Sequence, residues 1–178
     1  MLVIISDLHL TDGTSGSTIS AGAFELLRER LKDLTAAASQ RAGGNYRPVE
    51  AVDLVLLGDV LDVIRSQRWL TTTLRPWDDV QTPGYFDMVA RITADTLTRN
   101  EGAMVHLRAL AQQGVAIPAA GSTGGVDAGP HVAVPVRTHY MVGNHDWFFH
   151  LPGENYNRLR RQIATQMGLA TSPDAPFP

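Results

Sequence analysis

Three short polar motifs in this sequence each follow an apolar run. They are Asp7-Leu8-His9, Gly58-Asp59-Val60-Leu61-Asp62 and Gly143-Asn144-His145-Asp146. Their carboxylate, imidazole and amide groups are ligands that suit Mn, Fe, Zn or Mg, and the absence of cysteine excludes thiolate sites. Each motif alone is more typical of a turn or a helix cap than of a metal site. Together, at the ends of neighbouring strands, they would form one metal-binding site.

The elements that position these motifs are predicted from hydrophobic periodicity. The apolar runs at 2–5, 53–57 and 138–142 predict three β-strands, and the first is typical of a strand buried on both faces. Apolar residues at three- and four-residue spacing predict helices at 24–38, at 85–113 and around Leu159. Gly102 is a possible break that would divide the second of these into two helices. Alternating strands and helices predict an α/β fold with a mostly parallel sheet flanked by helices. Ligands of such sheets bind beyond the carboxyl ends of the strands.

The domain organisation is predicted to be simple. A chain of 178 residues fits one domain spanning 1–178. The region 114–135 is rich in Gly, Pro and Ala and is predicted to be a flexible loop insertion. The Pro-rich end, 170–178, is predicted to be a frayed tail.

Composition limits the partners and the location. The net charge is -3, so no basic field attracts nucleic acid, which we expect only as a substrate. No apolar stretch is long enough for a membrane span, and the first residues lack the basic region of a signal peptide. We therefore expect a cytoplasmic protein that does not enter membranes.

The set D-x-H, G-D-x-x-D and G-N-H-D, in this order, resembles the signature of calcineurin-like metallophosphoesterases. The resemblance extends from Leu2 to about residue 150 and implies two divalent metal ions, whose identity stays open among Mn, Fe, Zn and Mg. By this resemblance Asp7 and His9 would bind the first ion. Asp59 would bridge both ions, and Asn144 would bind the second.

The resemblance also implies a reaction and catalytic residues. The family hydrolyses phosphate mono- or diesters with a hydroxide held between its two ions. His145 would contact the phosphoryl oxygen and the leaving group, and Asp62 would hydrogen-bond His145 and fix its orientation. The implied fold is the first half of the family's two-sheet α/β sandwich.

The sequence departs from this family towards its end. The family's site has three further histidines, including a G-H-x-H pair, but only His150 follows Asp146 here. We therefore expect an incomplete domain, either a fragment or one whose remaining ligands come from a second chain. The missing second sheet would leave an apolar face exposed and favour self-association or a partner chain. The alternatives are a non-catalytic relic that acts as a binding or scaffold protein, and an unrelated α/β protein with coincidental motifs.

Overall fold

The structure is a computed structural model that describes residues 1–16, 19–120, 129–171 and 177. Its strands are β1 (Leu2–Ser6), β2 (Val52–Leu57), β3 (Val115–Pro118), β4 (His131–Val134) and β5 (Val136–Met141). Its α-helices are α1 (Ala21–Ala38), α2 (Tyr85–Arg99), α3 (Glu101–Gln113) and α4 (Glu154–Met167), and short 3₁₀ helices span Gln67–Thr71 and Trp147–His150. Within these described ranges, no helix has the length and apolar character needed to cross a membrane.

The principal sheet is parallel and has three strands in the order β1-β2-β5. Its last paired row is Ser6, Leu57 and Met141, so the chain leaves all three strands at the same edge. This arrangement confirms the predicted α/β fold with a parallel sheet flanked by helices. The three predicted strands are present, with ends that differ by one or two residues.

The two faces of this sheet differ in burial. On one face, Val52, Leu54 and Leu56 are fully buried, and α3 contacts β5 as well as the other three helices. On the opposite face lie Leu2, Ile4, Leu57 and Met141, which remain between 43% and 62% exposed. The prediction that β1 is buried on both faces is therefore wrong. Apolar side chains are exposed on this face as expected, but the same face also carries Asp53, which pairs with Arg137 and His139.

The region 85–113 forms two helices, α2 and α3, as expected if it contained a break. The break lies at Asn100 and not at Gly102. The Asn100 side-chain amide donates to the backbone carbonyls of Thr11 (2.9 Å) and Thr96 (2.8 Å). Gly102 instead lies inside α3, where an added Cβ would come within 2.8 Å of the Ala21 Cβ. The glycine therefore permits close packing of α3 against the start of α1 and does not interrupt the helix.

The region predicted as a loop, 114–135, differs from the prediction at both ends. Strands β3 and β4 pair antiparallel, with Val115 opposite Val134 and Pro118 opposite His131. Val115, Ile117 and Val134 are buried. The sequence signal was missed because these alternating residues are few and lie among Gly, Pro and Ala. Residues 121–128 lie outside the described part of the chain.

The predicted frayed tail also differs at two positions. The backbone N–H of Ala170 donates to the carbonyl of Thr138 at 2.7 Å, which extends the pairing at the outer edge of β5. Phe177 is buried, and its ring centroid lies 4.6 Å from that of Tyr140. These contacts attach the described parts of the tail to the domain. Residues 172–176 and 178 lie outside the described residues.

The exposed sheet face generates a prediction about association. Replacing Ile4 and Met141 together by Thr should lower self-association, measured as apparent mass by light scattering, because apolar area is removed from the exposed face. The free energy of unfolding should change by less than about 1 kcal/mol, since both side chains are already exposed.

The control is Leu54→Thr on the buried face of the same sheet, which should cost about 2–4 kcal/mol of stability. A wild-type chain that is monomeric at every concentration tested would contradict the prediction.

Candidate metal centre

The loops that follow β1 and β2 continue to pair beyond the sheet. The His9 N–H donates to the Asp59 carbonyl and the Leu10 N–H to the Val60 carbonyl, each at 2.8 Å. The Asp62 N–H then donates to the Leu10 carbonyl, also at 2.8 Å. These backbone bonds fix the position of His9 relative to both aspartates without help from any ligand.

Three of the predicted metal ligands come together at this edge. One donor atom each from Asp7, His9 and Asp59 lies within 4.8 Å of those of the other two. Asp7 is exposed, so the group is open to solvent on one side. Carboxylate oxygens and an imidazole nitrogen at this spacing could hold a divalent cation.

The same three residues have an unusual backbone conformation. Asp7, His9 and Asp59 have φ values of 55°, 46° and 49° and are the non-glycine residues with positive φ in the described chain. A residue other than glycine adopts this left-handed backbone conformation at a cost of about 1–3 kcal/mol. Strain of this kind is typical of functional sites, where the surrounding contacts hold it in place. Here it coincides with the candidate ligands.

Asp62 connects the two histidines of the centre. Its carboxylate is fully buried, and its two oxygens contact His9 Nδ1 at 2.8 Å and His145 Nδ1 at 2.9 Å. The two imidazole rings meet edge to face, with centroids 4.8 Å apart. Because an ionised carboxylate only accepts hydrogen bonds, each Nδ1 donates a hydrogen to Asp62, and this contact orients each ring. The expected contact between Asp62 and His145 is present, and the contact with His9 was not predicted.

The loop after β5 approaches Asp59 closely. The His145 N–H donates to Asp59 Oδ1 at 2.8 Å. An added Cβ on Gly143 would lie only 2.3 Å from the same oxygen and 2.5 Å from the Asp59 backbone nitrogen, so no larger residue fits there without displacing both. Asn144 lies between these two contacts and is exposed. Its backbone is therefore fixed at the edge of the centre, and its side chain makes no hydrogen bond to the described residues.

Asp146 has a structural role that sequence reasoning missed. Its buried carboxylate accepts hydrogen bonds from the backbone N–H groups of Gly143 (2.6 Å) and Val60 (2.9 Å) and from the Tyr140 hydroxyl. The Tyr140 hydroxyl in turn accepts the Leu61 N–H at 3.1 Å. Burial, reinforced by the Asp146 charge, raises the pKa of Tyr140 well above its ordinary value, so the hydroxyl stays protonated. In the sequence, this role was indicated only by the place of Asp146 at the end of the Gly143-Asn144-His145-Asp146 motif.

Two groups of the described residues could therefore hold a metal ion. The first is Asp7, His9 and Asp59, and the second is His9, Asp62 and His145. Comparisons of the chain with protein-family models, curated proteins and solved structures found no match. Any function assigned to this centre therefore rests on its own donor atoms and contacts.

The close approach of Gly143 to Asp59 gives a test of the centre. Gly143→Ala should displace the Asp59 carboxylate and lower Mn²⁺ affinity by about 10- to 100-fold, as loss of a supporting contact does in metal sites. Isothermal titration with Mn²⁺ measures this.

Gly22→Ala is the matched control, because the nearest atom to an added Cβ there is 3.7 Å away. An unchanged Mn²⁺ affinity in the folded Gly143 variant would show that Asp59 is not a ligand.

Proposed function

We propose that this centre binds two divalent metal ions and hydrolyses phosphate esters. The observation that carries the proposal is the convergence of the Asp7, His9 and Asp59 donors within 4.8 Å, beside a second histidine held by a buried carboxylate. A ligand group and an adjacent imidazole are the two parts that metal-assisted phosphoryl chemistry needs. The resemblance in the sequence motifs supports the same reaction.

The residues at the centre fit divalent cations. Asp7 and His9 would hold the first ion through a carboxylate oxygen and the His9 Nε2 atom. Asp59 has two oxygens and would bridge both ions, and the Asn144 amide oxygen would serve the second. When bound, such ions supply Lewis-acid polarisation of the phosphoryl group and activation of a water molecule. The hard and borderline donors suit Mn, Fe, Zn or Mg.

The alternative group of His9, Asp62 and His145 is less suited to an ion. The Asp62 oxygens already accept both imidazole N–H groups and the Arg65 backbone N–H, the last at 3.1 Å. A cation placed there would have to displace these hydrogen bonds from a fully buried carboxylate, which costs more than using the exposed Asp7. We therefore assign Asp62 to positioning the two histidines.

His145 is proposed to act on the leaving group. Its Nδ1 hydrogen bond to Asp62 fixes the ring and directs Nε2 away from that carboxylate. An imidazole oriented in this way would serve as the general acid that passes a proton from Nε2 to the departing ester oxygen. The side chain is only partly buried, so a substrate can reach it.

Metal or phosphate binding without turnover is a second candidate function. The small number of ligands favours this function. Asp7, His9 and Asp59 each offer one ligand atom, whereas a divalent ion commonly takes four to six ligands. In the proposed enzyme, water, substrate or a partner chain would complete the coordination. The sheet described above would then be the first half of the family's two-sheet sandwich.

The proposed roles of Asp59 and His145 predict different losses. Asp59→Asn should abolish Mn²⁺-dependent hydrolysis of chromogenic phosphate mono- and diesters and weaken Mn²⁺ binding, since it removes the bridging charge. His145→Gln should lower turnover by about 10²- to 10⁴-fold while Mn²⁺ affinity stays within about threefold, since it removes only proton donation.

A chelator-treated wild type gives the baseline for both variants. Loss of Mn²⁺ binding in the His145 variant would exclude the proposed leaving-group role. Mn²⁺ binding by the wild type without turnover would support the binding-only function.

Substitution of Asp62 is predicted to change both turnover and Mn²⁺ binding. Asp62→Asn should lower turnover and also weaken Mn²⁺ binding by about tenfold or more, because an NH2 donor replaces one of the two oxygens that accept the Nδ1 hydrogens. His145→Gln should affect turnover alone, so the two variants separate positioning of His9 from positioning of His145.

Asp33→Asn is the control, since Asp33 is an exposed carboxylate on α1 paired with Arg30. An Asp62 variant with unchanged Mn²⁺ affinity would mean that other contacts are sufficient to hold His9.

A further inference from the structure

Three arginines follow Asp62 in the loop leading to α2, and two of them are engaged elsewhere. Arg68 Nη2 lies 2.6 Å from an Asp95 carboxylate oxygen. Arg75 Nη1 donates to three backbone carbonyls at 2.7–2.8 Å. Arg75 therefore holds the loop itself together, and Arg68 connects the loop to α2. The third, Arg65, is placed differently.

Arg65 lies against the carboxylate that organises the centre. Its Nη1 is 3.4 Å from Asp62 Oδ2, and its side chain is 46% exposed. This distance is longer than a normal N–H···O hydrogen bond, so the contact is a loose ion pair that leaves the guanidinium donors accessible. Asp62 also contacts His9 and His145, so the guanidinium shares this carboxylate with both imidazoles.

The charge and shape of the Arg65 guanidinium suit a phosphate ester. Two divalent ions would offset the charges of Asp7, Asp59 and Asp62, and a phosphate ester brings negative charge of its own. Arg65 would offer a further fixed positive charge to the phosphate, because arginine stays charged at every working pH. Its planar donor fork matches the non-bridging oxygens of phosphate.

We propose that Arg65 binds the non-bridging oxygens of the substrate phosphate at this centre. The inference rests on the proposed phosphoesterase function and extends it to a substrate class. A phosphomonoester has one more non-bridging oxygen and one more negative charge than a diester. The Arg65 contact therefore favours phosphomonoesters.

The test uses the full chain loaded with Mn²⁺ and the variants Arg65→Gln, Arg65→Lys and Arg158→Gln. Arg158 is an exposed arginine on α4, so it controls for the change in net charge. Titration with inorganic phosphate measures binding directly, and kinetics with a phosphomonoester and a diester measure KM.

Arg65→Gln should weaken phosphate binding by about 10- to 100-fold, the range for a charge-assisted contact. It should raise KM for the monoester more than for the diester. Arg65→Lys should recover part of both, and the Arg158 variant should match the wild type. Mn²⁺ affinity should not change in any of them, because Arg65 is not a ligand.

Three outcomes would overturn the inference in distinguishable ways. Equal phosphate affinity in the wild type and Arg65→Gln would reject the role of Arg65 and leave the phosphoesterase function standing. A parallel loss of Mn²⁺ affinity would show that Arg65 acts through Asp62 and not on the phosphate. A wild-type chain that binds neither Mn²⁺ nor phosphate would reject both proposals.

Discussion

The candidate centre depends on the buried carboxylate of Asp62. An ionised group without solvent exposure is stable only when its oxygens are hydrogen-bonded, and here the donors are His9, His145 and the Arg65 backbone. His9 follows β1, Asp62 follows β2 and His145 follows β5. One carboxylate therefore ties together three loops that are distant in sequence. The carboxylate keeps two of its three donors when any one of them is lost, so no single loop alone holds the charge in place.

The backbone around the centre carries strain that the neighbouring contacts must offset. Three left-handed residues would together cost several kcal/mol in isolation. The continued pairing of the first two loops and the Asp146 carboxylate between Gly143 and Val60 supply the opposing hydrogen bonds. Because these contacts are all internal to the chain, the backbone that carries the donor groups is held in place before any ion arrives. A preformed site of this kind loses less entropy on binding.

The sequence predicted the parallel sheet and the residues at its edge because both depend on local patterns. Apolar runs mark the strands, and parallel strands necessarily deliver their following residues to one edge. The contact between His9 and Asp62 was not predictable in this way, since it joins residues 53 positions apart through side-chain geometry. The roles of Asp146 and Tyr140 depend on burial, which the motif does not encode. Strands β3 and β4 were missed because four-residue strands give too few periods to stand out.

The exposed sheet face and the open side of the centre are adjacent parts of one edge. The last sheet row, Ser6, Leu57 and Met141, directly precedes the loops that carry Asp7, Asp59 and Asn144. Parallel sheets are almost always covered on both faces, and small donor sets are usually completed by further ligands. A layer that covered Leu57 and Met141 would lie next to the loops that carry Asp7, Asp59 and Asn144. In the proposed enzyme, one covering element could therefore both bury the apolar side chains and supply further ligands.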